Sequence, residues 1–287
     1  MTNRINGKTL VVGIIGHPVG HSLSPLMQNA AFVACDLDYV YVPFDVHPEH
    51  LGEAVTGLRA LGVRGFNVTI PHKTEVMRYL DALDESAVQA GAVNTVLNTQ
   101  GILKGFNTDG DGLVKALAEE LDFLPMSRKI VVVGAGGAAR GAIASLCRSA
   151  ATKITIINRS LARAQVLAED MRNFHHLVEL NVVDVNSPSD EYLSDCDLLI
   201  NTTSVGMNGD SIDCIDLDTL PGHARVYDMI YAPLKTPLLE KAESAGLKCS
   251  NGLGMLAGQG ELAFRIWTGM VPPVGIMRSV LDKICSS

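Results

Sequence analysis

The feature that most constrains the fold is a glycine-rich turn between an apolar strand and an alanine-rich helix. Residues 129–133 read KIVVV and run directly into the turn GAGG at 134–137, after which a helical stretch starts at Ala138. Glycine permits a tight turn and a close approach of backbone N–H groups to a pyrophosphate, and the helix N-terminus adds about half a positive charge. Ala139 takes the usual third glycine position, a replacement that close packing tolerates. This context predicts a dinucleotide site rather than a turn without a ligand.

The segment after the next strand indicates which dinucleotide is bound. That strand should end over the adenosine ribose, where an NAD site usually places Asp or Glu. This chain has no carboxylate between Lys153 and Gln165 and carries Arg159 and Arg163 there instead. Guanidinium groups bind a 2′-phosphate through charge-assisted hydrogen bonds, whereas a carboxylate would repel it. The alternative, two solvated arginines at a helix start, is less favourable because cations oppose the helix dipole there. NADP is therefore predicted over NAD.

Short β-branched runs alternate with helical patterns along the chain, which predicts mainly parallel sheets covered by helices. At 287 residues the chain is too long for most single cores and fits two domains. We predict an α/β fold of two α/β domains with a cleft between them. Residues 1–109 form a substrate-binding and catalytic domain with a mainly parallel sheet, residues 110–250 a Rossmann-type NADP-binding domain, and residues 251–287 helices that return to the first domain. Hinges are expected near 107–112 and 250–255.

The individual elements follow from the same patterns. A helix start at Pro25 with Ser24 as its cap, and a helix stop at Gly62, are predicted from the preferences of helix ends. The predicted strands are 9–16, 39–45, 65–70, 92–98 and 102–106, then 129–134, 153–158, 179–184, 198–201 and 225–228. Helices are predicted at 25–35, 50–61, 110–121, 138–149, 162–174, 255–268 and 274–284.

Composition excludes several classes of function. The formal net charge of −8 argues against non-specific nucleic-acid binding, which needs a basic face. The longest apolar stretch, 130–147, contains Arg140 and two glycine clusters and is not a membrane span, and the stretch 10–16 is too short for a signal peptide. The six cysteines have no CxxC spacing and form no zinc-like pattern with histidine, so buried, reduced thiols, no metal and a cytoplasmic location are expected. The oligomeric state is left open, a homodimer included.

Four polar patterns in the first domain indicate a ligand site. They are expected at the carboxyl ends of strands, where open α/β sheets bind ligands. Their hydroxyls, amides, single ammonium and single carboxylate suit a small polyhydroxylated acid better than an apolar molecule. Ser24 and Asp109 have an alternative role as helix caps, and His17, His21 and His72 are expected to be structural or solvent-facing. The patterns are HSLSP at 21–25, NVTIPHK at 67–73, GAVNT at 91–95 and NTDG at 107–110.

With these patterns and the GAGGA turn, the sequence resembles the shikimate dehydrogenase family. The resemblance includes NRSLAR at 158–163, DMIY at 228–231 followed by Pro233, and NGLGML at 251–256 leading to Gln259. The matches run in order from residue 13 to about 267. The resemblance implies an NADP-dependent oxidoreductase that reversibly reduces 3-dehydroshikimate to shikimate, a step of chorismate and aromatic amino acid biosynthesis.

The resemblance also implies a role for individual residues. Two serines hold the substrate carboxylate, the amides of Asn94 and Gln259 with Asp109 hold ring hydroxyls, and Lys73 is the catalytic group, assisted by Asp109. The implied substrate residues are Ser22, Ser24, Thr69, Lys73, Asn94, Asp109, Tyr231 and Gln259. The implied cofactor residues are Gly134, Ala135, Gly136, Gly137, Ala138, Asn158, Arg159, Ser160, Arg163, Met229 and Gly252.

The position of Lys73 in the sequence also indicates a functional role, independently of the resemblance. It follows Pro71 near an expected helix start, where a cation is unfavourable by several tenths of a kcal/mol up to about 1 kcal/mol. An ammonium can stabilise the negative charge that grows on a ketone oxygen during reduction and can donate the proton. Two rival functions remain: a quinate/shikimate dehydrogenase with relaxed substrate or cofactor choice, and a non-enzymatic NADP sensor, which would not need the pair of Lys73 and Asp109.

Overall fold

A computed structural model describes residues 5–187 and 190–285. The chain divides into two compact units, one formed by Met1–Thr108 with Ala257–Ser287 and the other by Asp109–Leu256. In the described ranges each unit contains a six-stranded sheet. The predicted α/β class, with a mainly parallel sheet in the first unit and a Rossmann-type sheet in the second, is confirmed.

In the described ranges, the first unit begins with nine strands and α-helices and is completed by residues from Ala257 onward. The nine elements are β1 (Leu10–Gly16), α1 (Ser24–Ala34), β2 (Tyr39–Asp45), α2 (Leu51–Ala60), β3 (Gly65–Val68), β4 (Ala82–Leu83), α3 (Glu85–Ala90), β5 (Thr95–Thr99) and β6 (Ile102–Phe106). The strand order is β2-β1-β3-β5-β6-β4. β1 is parallel to β2 and β3, and β4 is parallel to β6, whereas β5 is antiparallel to both of its neighbours.

The second unit contains a fully parallel sheet. Its elements are α4 (Asp109–Leu121), β7 (Lys129–Val133), α5 (Gly137–Arg148), β8 (Lys153–Asn158), α6 (Leu161–Arg172), β9 (Glu179–Asp184), α7 (Asp190–Leu193), β10 (Leu198–Asn201), β11 (Arg225–Asp228), α8 (Pro237–Ser244) and β12 (Lys248–Ser250). The order β12-β11-β10-β7-β8-β9 is that of a dinucleotide-binding sheet. Residues Ile130–Val133 are buried, as expected for a central parallel strand with both faces covered.

The last two elements of the described ranges are the helices α9 (Leu253–Thr268) and α10 (Ile276–Cys285). The division between the units falls inside α9, after Leu256. In the first unit, the buried Trp267 of α9 donates its indole N–H to the Val96 carbonyl oxygen at 2.9 Å. A Cβ on Gly65 of β3 would stand 2.3 Å from the same indole nitrogen, so glycine is required there for the helix to pack on the sheet.

Several predicted details are wrong. Strand β5 begins at Thr95 rather than residue 92, because Gly91 (φ 60°) ends α3 and the next two N–H groups bond outside the strand ladder. Ser24 is the first residue of α1 and does not cap it; the cap position is Leu23, without a side-chain hydrogen bond. The sequence prediction also missed the short elements α3, α7, α8, β4 and β12. Gly62 does follow the end of α2, with φ 68°.

The remaining expectations concern cysteines, metals and membranes. All six cysteines are free, but only Cys147 and Cys196 are buried. Across the described ranges, no group of three or more His, Cys, Asp or Glu side chains has an arrangement that could hold a metal ion. None of the helices in these ranges combines the length and the apolar character needed to cross a bilayer.

Candidate active site

Four polar segments, the last of them as far as Thr108, lie at one edge of the sheet of the first unit. Because β1, β3 and β6 point the same way, the segments that follow them leave the sheet at that edge. Contrary to the prediction, the segment 91–95 precedes a strand, β5, instead of following one. It reaches the same edge because β5 is reversed, with Thr95 paired to both Asn67 and Phe106.

Asn94 is fixed at this edge before any ligand is considered. It is 2% exposed, and its Oδ1 accepts from the Thr108 N–H at 2.8 Å while its Nδ2 donates to Thr108 Oγ1 at 2.9 Å. Thr108 Oγ1 also donates to the Gln259 carbonyl oxygen at 3.2 Å. The structure therefore brings the predicted ligand residues Asn94 and Gln259 together through one threonine.

A buried hydrogen-bonded chain extends from Asn94 to Tyr41 on β2. Asn67 Nδ2 donates to the Asn94 carbonyl oxygen at 3.0 Å and to Thr95 Oγ1 at 2.9 Å, and Asn67 Oδ1 accepts from Tyr41 Oη at 2.8 Å. Burial raises the pKa of Tyr41 far above its ordinary value, so the phenol keeps its proton and donates to Asn67.

Three hydrogen bonds of Asn29 hold the first turn of α1, which carries Ser24. Asn29 Nδ2 donates to the carbonyl oxygens of Pro25 and Tyr41, and Asn29 Oδ1 accepts from the Tyr41 N–H at 2.9 Å. Ser22 lies in the preceding turn, where its N–H bonds to the Val19 carbonyl oxygen. Ser22 is half-buried and Ser24 buried, and the Ser24 N–H lies 3.3 Å from Ser22 Oγ. The two serines are thus neighbours in one ordered turn.

Thr69 and Lys73 follow β3 at the same edge. The Thr69 N–H bonds to the Ile15 carbonyl oxygen at 2.9 Å, and the Lys73 carbonyl oxygen accepts from the Val93 N–H at 2.7 Å, next to Asn94. Both side chains are half-buried. The helix after Lys73 is a five-residue 3₁₀ helix, Glu75–Tyr79, rather than an α-helix, so the expected dipole penalty on the ammonium loses most of its force.

In the second unit, the glycine turn has the geometry that a phosphate ligand needs. Gly134 has φ 114°, and a Cβ there would stand 2.5 Å from Thr202 Oγ1. At Gly136 and Gly137, by contrast, an added Cβ would meet nothing within 4 Å. Helix α5 starts at Gly137 without a side-chain cap, and Ala135 and Ala138 flank these glycines. An uncapped helix N-terminus therefore lies beside open space, an arrangement that suits an anion.

The end of β8 presents the predicted phosphate-binding residues to solvent. Asn158 Nδ2 donates to the Ser160 carbonyl oxygen at 2.8 Å, which shapes the turn. Arg159 and Arg163 are exposed, and neither forms an ion pair with another residue of the described ranges. One carboxylate near this site, Asp184 of β9, was not predicted. Asp184 pairs with Asn158 in the sheet, and its Oδ1 accepts from the N–H and the side-chain amide of Asn186.

Met229 and Gly252, the other predicted cofactor residues, lie close together after β11 and β12. The Met229 N–H bonds to the Asn201 carbonyl oxygen at 3.0 Å, and the Gly252 N–H bonds to the Ile230 carbonyl oxygen at 3.0 Å. A Cβ on Gly252 would stand 2.1 Å from the Met229 carbonyl oxygen, so only glycine fits. The polar segment after β10, which includes Thr202, was not predicted, although its neighbour β7 carries the glycine turn.

Asp109 and Tyr231 belong to the second unit, whereas the other predicted substrate residues belong to the first. Asp109 is the buried first residue of α4, and Tyr231 is half-buried beyond β11. The predicted substrate set is thus divided between the units. The approach of Lys73 to Asp109 stays a prediction.

Protein-family models match most of the chain. Residues 14–96 match a model described as the shikimate dehydrogenase substrate binding domain, residues 117–230 match shikimate / quinate 5-dehydrogenase, and residues 252–281 match the shikimate 5′-dehydrogenase C-terminal domain. Together these three ranges include both units.

Individual proteins are similar over nearly the full length. The chain is 52% identical to the shikimate dehydrogenase (NADP(+)) of Geobacter metallireducens, over 96% of each protein. Its fold matches the shikimate 5-dehydrogenase of Listeria monocytogenes, solved with shikimate and NAD, with a TM-score of 0.92, 37% identity and coverage of 98% of this chain and 99% of that one. A quinate dehydrogenase from Corynebacterium glutamicum, solved with NAD, has a TM-score of 0.88 at 30% identity, with 96% and 99% coverage.

The buried chain through Tyr41 leads to a prediction about stability. Tyr41→Phe removes the hydroxyl that donates to Asn67 Oδ1 at 2.8 Å and so leaves a buried acceptor without this donor. We expect the free energy of unfolding to fall by about 1–3 kcal/mol, measured by urea denaturation.

Tyr79→Phe is the control for this substitution. Tyr79 lies in the same unit but is 37% exposed, so water can replace any partner of its hydroxyl. A smaller loss is expected there. Equal losses in the two variants would contradict the importance assigned to the Tyr41 hydroxyl.

Proposed function

The chain belongs to the shikimate dehydrogenase family, and we propose that it catalyses the reversible NADP-dependent reduction of 3-dehydroshikimate to shikimate. It is an NADP-dependent oxidoreductase, in keeping with relatives of 44–54% identity that are named shikimate dehydrogenase (NADP(+)). The reaction belongs to the pathway that leads to chorismate and the aromatic amino acids. The cytoplasmic location and the homodimer stay predictions from the sequence.

The observation that carries the proposal is the convergence of predicted ligand groups at one sheet edge. Lys73 is bonded through its backbone to the segment that carries Asn94, and Asn94 is joined through Thr108 to Gln259. A lysine, two amides and several hydroxyls on segments of one sheet edge suit a carbonyl compound with several hydroxyl groups. The Ser24 hydroxyl, in the first turn of α1 that Asn29 joins to Tyr41, adds a group for the carboxylate.

The residues of the second unit fit NADP. Open space at Gly136 and Gly137, beside the uncapped start of α5, suits the pyrophosphate, and the exposed guanidinium groups of Arg159 and Arg163 suit the 2′-phosphate. Asn158 and Ser160 form the turn that holds those arginines, and Met229 and Gly252 would lie beside the nicotinamide. When bound, the cofactor supplies or accepts the hydride.

The residues of the chain supply charge, orientation and a proton. In reduction, the Lys73 ammonium stabilises the negative charge that develops on the ketone oxygen and donates its proton to it; in oxidation, the neutral amine accepts the hydroxyl proton. Asp109 assists by holding the same hydroxyl and orienting the lysine. Asn94 and Gln259 bind ring hydroxyls, while Ser22, Ser24, Thr69 and Tyr231 complete the pocket. This assignment of roles rests on family membership together with the positions described above.

A direct assay tests the function and its nearest alternative. We expect NADPH absorbance to fall on addition of 3-dehydroshikimate, and kcat/KM to be highest for shikimate with NADP+ among the four pairs of shikimate or quinate with NADP+ or NAD+. Comparable rates with quinate or NAD+ would favour the relaxed alternative. No turnover with any pair would rule out the proposed reaction and leave a cofactor-binding sensor.

The role of Lys73 predicts a specific kinetic loss. Lys73→Ala should lower kcat by about two to four orders of magnitude, the usual contribution of a positioned acid or base, while substrate binding suffers less. Lys104→Ala is the control, since this lysine lies on β6 of the same unit and is paired with Asp84. Steady-state kinetics should show near-normal turnover for the control, and near-normal turnover for Lys73→Ala would disprove the assignment.

The role of Arg159 predicts a loss confined to one cofactor. Arg159→Ala should weaken NADPH binding about 10- to 100-fold, because a charge-assisted hydrogen bond is lost, and should change NADH binding little. Fluorescence titration with both cofactors measures the two affinities. Arg265→Ala removes an exposed arginine of the first unit as a control. Equal losses for NADPH and NADH in Arg159→Ala would remove the 2′-phosphate assignment.

A further inference from the structure

Asp228, the last residue of β11, is a fully buried carboxylate with no cation paired to it in the described ranges. Its Oδ1 accepts from Asn201 Nδ2 and from the Ile230 N–H, both at 3.0 Å, and its Oδ2 accepts from Thr236 Oγ1 at 2.7 Å. All three donors are neutral. Burial raises the pKa of this carboxyl group, and the three hydrogen bonds only partly oppose that effect. Fold stability alone does not favour an unpaired acid at this position.

Asn201, at the end of the neighbouring strand β10, extends the arrangement. Asn201 pairs directly with Asp228 in the sheet. Its Oδ1 accepts from the Thr203 N–H at 3.0 Å and from Thr203 Oγ1 at 2.7 Å, while its carbonyl oxygen accepts from the Met229 N–H. The two side chains therefore form one hub at the carboxyl edge of the second sheet.

Three loops meet at this hub. They are the segment after β10 that packs on Gly134, the segment 229–231 after β11, and the segment before α8. The last of these ends at Thr236, whose side chain caps α8. Ile230 is held on both sides, because its N–H bonds to Asp228 and its carbonyl oxygen accepts from the Gly252 N–H. An ionised carboxylate is an acceptor at all its lone pairs, so it can bind three donors at once where an alcohol cannot.

We propose that Asp228 is a positioning residue for the reaction, which fixes the segment 229–231 and so places Met229 against the cofactor and Tyr231 against the substrate. Asp228 touches neither ligand and acts through the Ile230 N–H and Asn201. The proposal rests on the function proposed above, because it uses the ligand roles of Met229 and Tyr231. It explains why an acid stands where burial disfavours one.

The experiment compares two substitutions of different severity in the full-length protein. Asp228→Ala removes all three acceptor contacts, and a displacement of about 1 Å in the segment 229–231 should lower kcat/KM for shikimate and NADP+ by about 10- to 100-fold. Asp228→Asn keeps one oxygen for Asn201 and Ile230 and turns its amide toward Thr236 Oγ1, which can accept. We expect that variant to retain kcat/KM within about threefold of the unsubstituted protein.

The assay must separate positioning from stability. Rates are measured well below the thermal midpoint of each variant, with the folded fraction checked by circular dichroism. Should Asp228→Ala not fold, Asp228→Ser gives the same expected loss, because one hydroxyl cannot span three donors. Asp197→Asn is the matched control: this acid precedes β10 at the opposite edge of the sheet, where it accepts from the Lys129 N–H at 2.8 Å. It should lower the midpoint without changing kcat/KM.

The outcomes are distinct. Folded Asp228→Ala or Asp228→Ser with unchanged kcat/KM would overturn the proposal, as would an Asp228→Asn variant as impaired as Asp228→Ala. Loss in Asp228→Ala with rescue in Asp228→Asn and an unaffected control supports it. Failure of the unsubstituted protein to turn over shikimate would instead count against the proposed function, and not against the hydrogen-bonded hub.

Discussion

The first unit depends on hydrogen bonding of the polar side chains buried at one edge of its sheet. A buried amide or hydroxyl without a partner costs roughly 1–3 kcal/mol, so such groups persist only when their bonds are made. Here Tyr41, Asn67, Asn94 and Thr108 provide partners for one another along one continuous chain. The reversed direction of β5 makes this possible, because it returns the segment 91–95 to the edge where β1, β3 and β6 end. Groups assigned to the substrate are therefore ordered by the protein itself.

The second unit meets the same requirement by different means. Its fully parallel sheet places the ends of β7 and β10 side by side. Gly134 allows the chain to pass close to Thr202, and Gly252 allows it to pass close to Met229. The hub of Asp228 and Asn201 then holds the loops that the glycines bring together. Close backbone approach therefore works together with buried side-chain hydrogen bonds in the second unit.

Sequence patterns predicted what local chemistry determines and missed what depends on pairing. The apolar runs of β8 and β10 are bounded by polar residues, so their bounds could be predicted. Ala92 and Val93 look like strand residues, but their N–H groups bond to Ala87 and Lys73, which no local pattern reveals. Tyr41 looks like an ordinary strand residue in the sequence. Its contact with Asn67 depends on the strand order, in which β1 alone lies between the strands of these two residues. Asp228 was noticed within a family pattern, but its three donors lie up to 27 residues away in sequence.

An acidic chain that binds anionic ligands needs local rather than overall electrostatics. The net charge of −8 repels a cofactor phosphate at long range, but at physiological salt that field is screened beyond about 8–10 Å. Exposed charge pairs in water contribute little, so selectivity for the 2′-phosphate must come from short, charge-assisted hydrogen bonds. Arg159 and Arg163 are exposed and not committed to ion pairs in the described ranges, and the nearby carboxylate of Asp184 is bonded within its own turn. These contacts support the proposed assignment of the 2′-phosphate to the two arginines.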